Sequence, residues 1–326
     1  MKIDMPSRRE FLKGALGAGL ALGVPGTGTA EAQTLAQGAG TRPQSARQRT
    51  IVDAQVHLWL AEGPDRPWPP GGAAAAHLPY PFTTEKLLPM MNEAGVDRVV
   101  IVPPSWEGER NDYALLAAKN HPDRFAVMGR VLLDQPQSAA LLPKWKQQPG
   151  MLGIRLTFNR AQTRWLSDGT AEWLWPAAAK AGAPIMISIA GRQEEFARVA
   201  ERNPDTIFII DHMALSDDIA KAGKTGEAIA ATAALARFPN VSCKMSSAAN
   251  RSQGSYPFDD MKPHLRRIFE AFGPRRSYWG TDITADLSKA TYRQRITHFT
   301  ETLDFLTEED KDWVMGRAIL TRLNWS

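Results

Sequence analysis

The chain has 326 residues, a single cysteine, and a formal net charge of +4 from 39 Lys and Arg against 35 Asp and Glu. Residues 1–32 hold a net +1 and residues 33–50 a net +3 through Arg42, Arg47 and Arg49, so residues 51–326 are neutral and the basic pI gives no argument for nucleic-acid binding. Cys243 has no partner for an intramolecular disulfide, so a packed core must hold the fold, and residues 51–326 are long enough for one.

At the N-terminus, Ser7-Arg8-Arg9-Glu10-Phe11-Leu12-Lys13 fits the twin-arginine export pattern. An apolar run from Gly14 to Val24 follows, and Ala30-Glu31-Ala32 is a small-residue cleavage site. The run is too short to cross a bilayer, which takes about 20 residues. The expected organisation is a twin-arginine signal peptide at 1–32, a flexible linker at 33–50 and one folded domain at 51–326. The mature protein is expected to begin near Gln33, to pass through the twin-arginine machinery, and to work in the periplasm or outside the cell without a stable membrane anchor.

Eight short apolar runs then recur: Thr50–His57, Arg98–Pro103, Phe125–Val131, Leu152–Phe158, Pro184–Ile189, Thr206–His212, Val241–Met245 and Ser277–Ile283. Helical patterns fall between them at Thr83–Ala94, Glu172–Ala181, Arg192–Arg202 and Pro263–Ala271. Two more, Tyr292–Leu306 and Glu308–Leu323, close the chain. This cadence predicts parallel βαβ units and, at eight strands, a single (β/α)8 TIM barrel. Two stretches break the spacing. Residues 60–82 are rich in proline and carry Trp68, and residues 246–262 are rich in Ser, Asn and Gly. Both follow strands, so both are expected over the C-terminal mouth, where barrel active sites lie, with Trp59 and Trp68 walling the pocket.

Polar residues at strand ends are the candidates for chemistry: Gln55 and His57, Arg130, Arg155, His212, Lys244 and Asp282. By period two, Asp53, Gln55 and His57 share one face of the first strand, with Asp53 too deep to reach substrate and placed to orient a neighbour. The other histidines, His77, His121, His264 and His298, fall in loops or helices and read as surface residues.

The series Asp53-Ala54-Gln55-Val56-His57, Gly153-Ile154-Arg155, Ile210-Asp211-His212, Cys243-Lys244-Met245-Ser246 and Trp279-Gly280-Thr281-Asp282 resembles the amidohydrolase-related TIM-barrel hydrolases, a group with lactonases and decarboxylases. The resemblance covers residues 50–326. It implies that His57 and His212 match family histidines and that Asp282 matches the aspartate that handles the proton of the attacking water. Two usual metal-binding histidines are absent: Gln55 stands at one, and Ile185-Met186-Ile187-Ser188-Ile189-Ala190 offers none at the other.

The expectation is therefore a lactonase-like hydrolase without a cofactor, in which Asp282 activates water and His57 and His212 polarise the carbonyl. Arg155, Lys244, Gln55 and Arg130 are the substrate-binding candidates, and the first two suit an acidic small molecule. The alternatives are a metal-dependent amidohydrolase or decarboxylase, with one zinc or other divalent ion on His57, His212 and Asp282, and a non-catalytic periplasmic binding protein on a barrel scaffold.

Overall fold

The computed structural model describes residues 49–326 apart from Asn159; the expected signal peptide, and the linker up to residue 48, lie outside the described residues. Eight strands form one parallel sheet in chain order. They are β1 (Val52–Val56), β2 (Arg98–Ile101), β3 (Phe125–Gly129), β4 (Met151–Thr157), β5 (Ile185–Ser188), β6 (Phe208–Ile210), β7 (Val241–Lys244) and β8 (Ser277–Tyr278). Beyond β8 the chain returns to β1: the Ala54 N–H donates to Trp279 O at 3.3 Å and the Asp282 N–H to Gln55 O at 2.8 Å. This is the expected (β/α)8 barrel.

His57, Arg130, His212 and Asp282 lie just beyond the ends of β1, β3, β6 and β8, whereas Arg155 and Lys244 stay paired within β4 and β7. Helices flank the sheet at Thr84–Ala94, Asp112–Asn120, Leu174–Lys180, Gln193–Arg202, Thr225–Ala233 and Lys262–Phe272. Thr84–Ala94 stops at Gly95, whose φ of 81° needs a residue without Cβ penalty. The expected closing helices are interrupted by wide turns at His298–Thr302 and Trp313–Arg317. No helix among the described residues is long and apolar enough to cross a membrane.

Two apolar clusters hold the barrel. The larger packs outward strand residues such as Ile154, Ile187 and Ile210 under the helices. The smaller joins Val52, Ala54, Val100, Met128, Met186 and Ile209 to Ile319 and Leu323 of the last helix. Packing is tight at Gly153 in β4, where a Cβ would fall 2.3 Å from the Pro184 carbonyl oxygen.

One expectation about β1 fails. Its register against β2 shifts between Asp53 and Val56, so strict alternation breaks. Asp53 reaches the Thr281 N–H at 2.8 Å and the Tyr292 hydroxyl at 2.8 Å, whereas Gln55 and His57 turn to the mouth. Asp53 and the pair that follows it do not share a face. Asp53 does orient its neighbours, also accepting the Gln55 N–H at 3.0 Å.

Candidate active site

Asp282 follows β8 in a left-handed conformation, φ 51°, and is 3% exposed. Its Oδ2 accepts from Ser247 Oγ at 3.2 Å and lies 3.9 Å from His212 Nε2. Its Oδ1 receives no hydrogen bond among the described residues and faces His57 Nε2 at 3.4 Å. Burial pushes the carboxyl up, but the imidazoles of His212 and His57 more than offset this and hold it well below the usual carboxylate range.

His212 starts a run of three left-handed residues, with Met213 and Ala214 at φ 56° and 53°. Such backbone is costly for side chains with a Cβ and concentrates at functional sites. The Ser246 hydroxyl accepts the His212 N–H at 3.3 Å, and its own proton can go to Nδ1 at 2.9 Å. In that arrangement Nε2 carries the imidazole proton, directed at Asp282. Burial lowers the His212 pKa to about 3, so the ring is neutral.

Lys244 fixes the first strand's polar pair. Its ammonium has no acceptor and bonds Gln55 Oε1, which turns the Gln55 amide nitrogen to His57 Nε2 at 3.3 Å. His57 Nδ1 donates to the Val102 carbonyl at 2.6 Å. When the ring is neutral both contacts leave Nε2 the acceptor, and when it is protonated Nε2 faces Asp282 Oδ1 as a donor.

Arg155 and Lys244 are both paired inside the barrel. Asp211 pairs with both, 2.6 Å from Arg155 Nε and 2.5 Å from Lys244 Nζ, and Lys244 and Asp211 are wholly buried. Arg155 also donates to Thr157 Oγ1 at 2.9 Å. Arg130 makes a two-point ion pair with Glu109, at 2.7 and 3.1 Å.

A cleft of about 370 Å³ opens beside this cluster, lined by His77, Trp106, Glu109, Arg130 and Gln162. A hollow of about 480 Å³ near Lys180 and Arg202 lies beside Thr206, at the start of β6 and away from the chemistry. His77 corrects the surface reading. The 60–82 segment folds back over the mouth, pinned by the Trp59 N–H to Phe82 O bond at 3.0 Å. This sets the His77 ring 5.2 Å from His57 and 4.5 Å from Trp106. Burial lowers its pKa to about 4. His298 is also buried, behind the mouth against Phe258 and Phe299.

One ligand atom each from His57, His77 and Asp282 lies within 4.8 Å of the others. The trio fits a divalent ion. Two imidazoles and a carboxylate are a catalytic zinc donor set, and the His57 Nδ1 bond to a backbone carbonyl is the usual outer support of such a ligand. The cluster takes His77 where the sequence reading had His212, which stays beside Asp282. Sequence reasoning also missed Asp211 as the partner of two cations, Glu109, and Ser246 and Ser247. Asp211 had one signal, its place at the end of the sixth apolar run.

A buried carboxylate between two imidazoles, over the C-terminal ends of parallel barrel strands, defines a hydrolytic site of the TIM-barrel class. A family model described as Amidohydrolase matches residues 52–319, so the chain belongs to that family, and the protein is a hydrolase. An L-fucono-1,5-lactonase of Burkholderia ambifaria is 28% identical over 233 residues, 71% of this chain and 79% of the relative. An amidohydrolase from Burkholderia multivorans, solved with bound HEPES, superposes with a TM-score of 0.72 at 18% identity, covering 85% of this chain and 100% of that one. A second structure of an amidohydrolase from that organism, with bound zinc, gives 0.70 at 18% identity and the same coverage. A Pseudomonas putida structure with the provisional name 2-pyrone-4,6-dicarboxylic acid hydrolase gives 0.68 at 20% identity, covering 85% and 98%. At these identities the structures share the fold.

Proposed function

We propose that the protein opens a lactone or similar cyclic ester with water activated by Asp282. The carrying observation is the convergence of His57 and His212 on an ionised, buried Asp282 whose Oδ1 receives no hydrogen bond among the described residues. The lactonase relative supports the same reaction class.

In this reading a water sits between Asp282 and the ring carbonyl. Asp282 takes its proton as the water oxygen bonds to the acyl carbon. The Nε2–H of neutral His212 stabilises the oxyanion. When the ring C–O bond breaks, the proton held by Asp282 passes to the departing alkoxide, giving a hydroxy acid. His57, an acceptor at Nε2, is placed to share that proton rather than to polarise the carbonyl, a change from the sequence expectation. Gln55 sets the orientation of His57.

The second reading is metal-assisted hydrolysis, favoured by the His57, His77 and Asp282 trio. An ion held there would share the oxyanion charge and acidify bound water. The test is hydrolysis of a lactone panel by native protein and by Asp282→Asn, before and after dialysis against a chelator. The variant is expected to lose about 10²–10⁴-fold in kcat. Unchanged hydrolysis by the variant overturns the base assignment. Native activity that survives chelation carries the first reading, and activity lost and restored by zinc carries the second.

A further inference from the structure

Arg295 is 3% exposed, and none of its hydrogen bonds among the described residues goes to a carboxylate. Its guanidinium donates to Asn250 Oδ1 at 2.8 Å, to Asp286 O at 2.6 Å, and to the carbonyls of Ala290 and Thr281 at 3.4 Å. Burying a charge that is not paired with another is costly. Arg295 lies outside the lining of the cleft, so contact with substrate does not account for it.

The bonds leading from Arg295 have one possible direction. A guanidinium only donates, so Asn250 turns its carbonyl oxygen to Arg295 and its amide nitrogen the other way. That nitrogen donates to Asp282 O at 3.0 Å and to Ser247 Oγ at 3.2 Å. Having accepted there, the Ser247 hydroxyl gives its own proton to Asp282 Oδ2 at 3.2 Å. An ionised carboxylate only accepts, so the chain does not run in reverse. Asn250 comes from the short helix Ala248–Arg251 after β7, and Arg295 from Tyr292–Thr297 after β8. Ser247 and Asp282 both hold left-handed backbone, φ 62° and 51°, a conformation that persists only where surrounding bonds enforce it. The Asp282 N–H is taken by Gln55 O, its carbonyl by Asn250 and its Oδ2 by Ser247, which leaves Oδ1. Across the site the construction repeats: Lys244, another donor-only cation, turns the Gln55 amide and through it sets His57.

On the lactone reading above, in which Asp282 is the base, we infer that Arg295, Asn250 and Ser247 are positioning residues, a one-way hydrogen-bond relay that pins Asp282 through Oδ2 and reserves Oδ1 for the proton of the attacking water. The fixed cation at the far end keeps the relay from turning to offer Oδ2 a lone pair in place of a proton.

The test is the kinetics of Ser247→Ala, Asn250→Asp and Asp282→Asn, alone and in pairs, on the lactone that the native protein opens fastest. Ser247→Ala removes the donor to Oδ2. Asn250→Asp keeps the size and the Arg295 contact but places a carboxylate oxygen where the amide donor stood, so the Ser247 proton turns away from Asp282. Each is expected to lower kcat about tenfold at unchanged KM, the worth of one hydrogen bond to a charged group. Neither is expected to lower it further in the Asp282→Asn background. A folded Ser247→Ala or Asn250→Asp with native kcat overturns the inference. So does a change confined to KM, or a loss that recurs at full size in the Asp282→Asn background. Crystal structures of the native protein and Asn250→Asp read the relay without turnover. The Asp282 carboxylate is expected to rotate away from Ser247 in the variant, and an unmoved carboxylate overturns the relay whether or not a lactone is opened. Native rates in Asp282→Asn alone remove the base assignment instead, and with it the role given to Oδ1.

Discussion

Asp211 holds two cations at the end of β6, where no water reaches it. Removing one member of a buried ion group leaves an uncompensated charge, which costs about 3–5 kcal/mol. Asp211→Asn would leave both Arg155 and Lys244 without their carboxylate, so a loss at or above that range is expected in a denaturant melt. A loss below about 1 kcal/mol would show that the triad is not what holds those cations. His57, His212 and Asp282 were legible in the sequence because each ends an apolar run. Asp211 and His77 were legible only as residue types. What each touches depends on strands and loops far away in the chain, and a single sequence carries no record of those distances.

The strand cadence was legible for a simple reason. Strands buried on both faces must be nearly continuous apolar runs, so each run marks a strand whatever its neighbours do. Register was harder. The shift between Asp53 and Val56 follows from how β1 meets β2 and closes onto the chain after β8, and no residue in the segment announces it. The helices at Asp112–Asn120 and Thr225–Ala233 escaped notice because alanines dilute their apolar stripes. Gly153 belongs to this scale too. An added methyl would press on the Pro184 backbone, which cannot move without disturbing the β4–β5 pairing. Gly153→Ala is expected to cost about 1–3 kcal/mol, read as a lower denaturation midpoint at unchanged slope. An unchanged midpoint would mean that the two strands can separate freely there.

Acid should unfold the whole molecule earlier than its carboxylates alone dictate. Burial lowers His212 to about 3 and both His77 and His298 to about 4, whereas unfolded histidine titrates near 6.5. Between those values the unfolded chain binds more protons, so stability rises with pH from about 4 to about 6.5 and then levels off. Each histidine contributes at most about 1.4 kcal/mol per pH unit in that window. Asp282, depressed in the fold, acts in the same direction at lower pH, its contribution lost as pH falls through its folded value. Denaturation midpoints measured from pH 4 to 8 should show this slope, and His298→Gln should reduce it. A flat profile would mean that the buried rings become charged without opposing the fold. The segment from residue 60 to 82 has a different consequence. Tied at its base by Trp59 and Phe82, and by Arg66 to Glu107 and Asp112, it contributes His77 and yet belongs to no strand of the barrel. A single peptide cleavage there touches no barrel strand, so it is expected to free His77 from beside His57 and Trp106 while the barrel stays folded, separating loss of the site from loss of the fold.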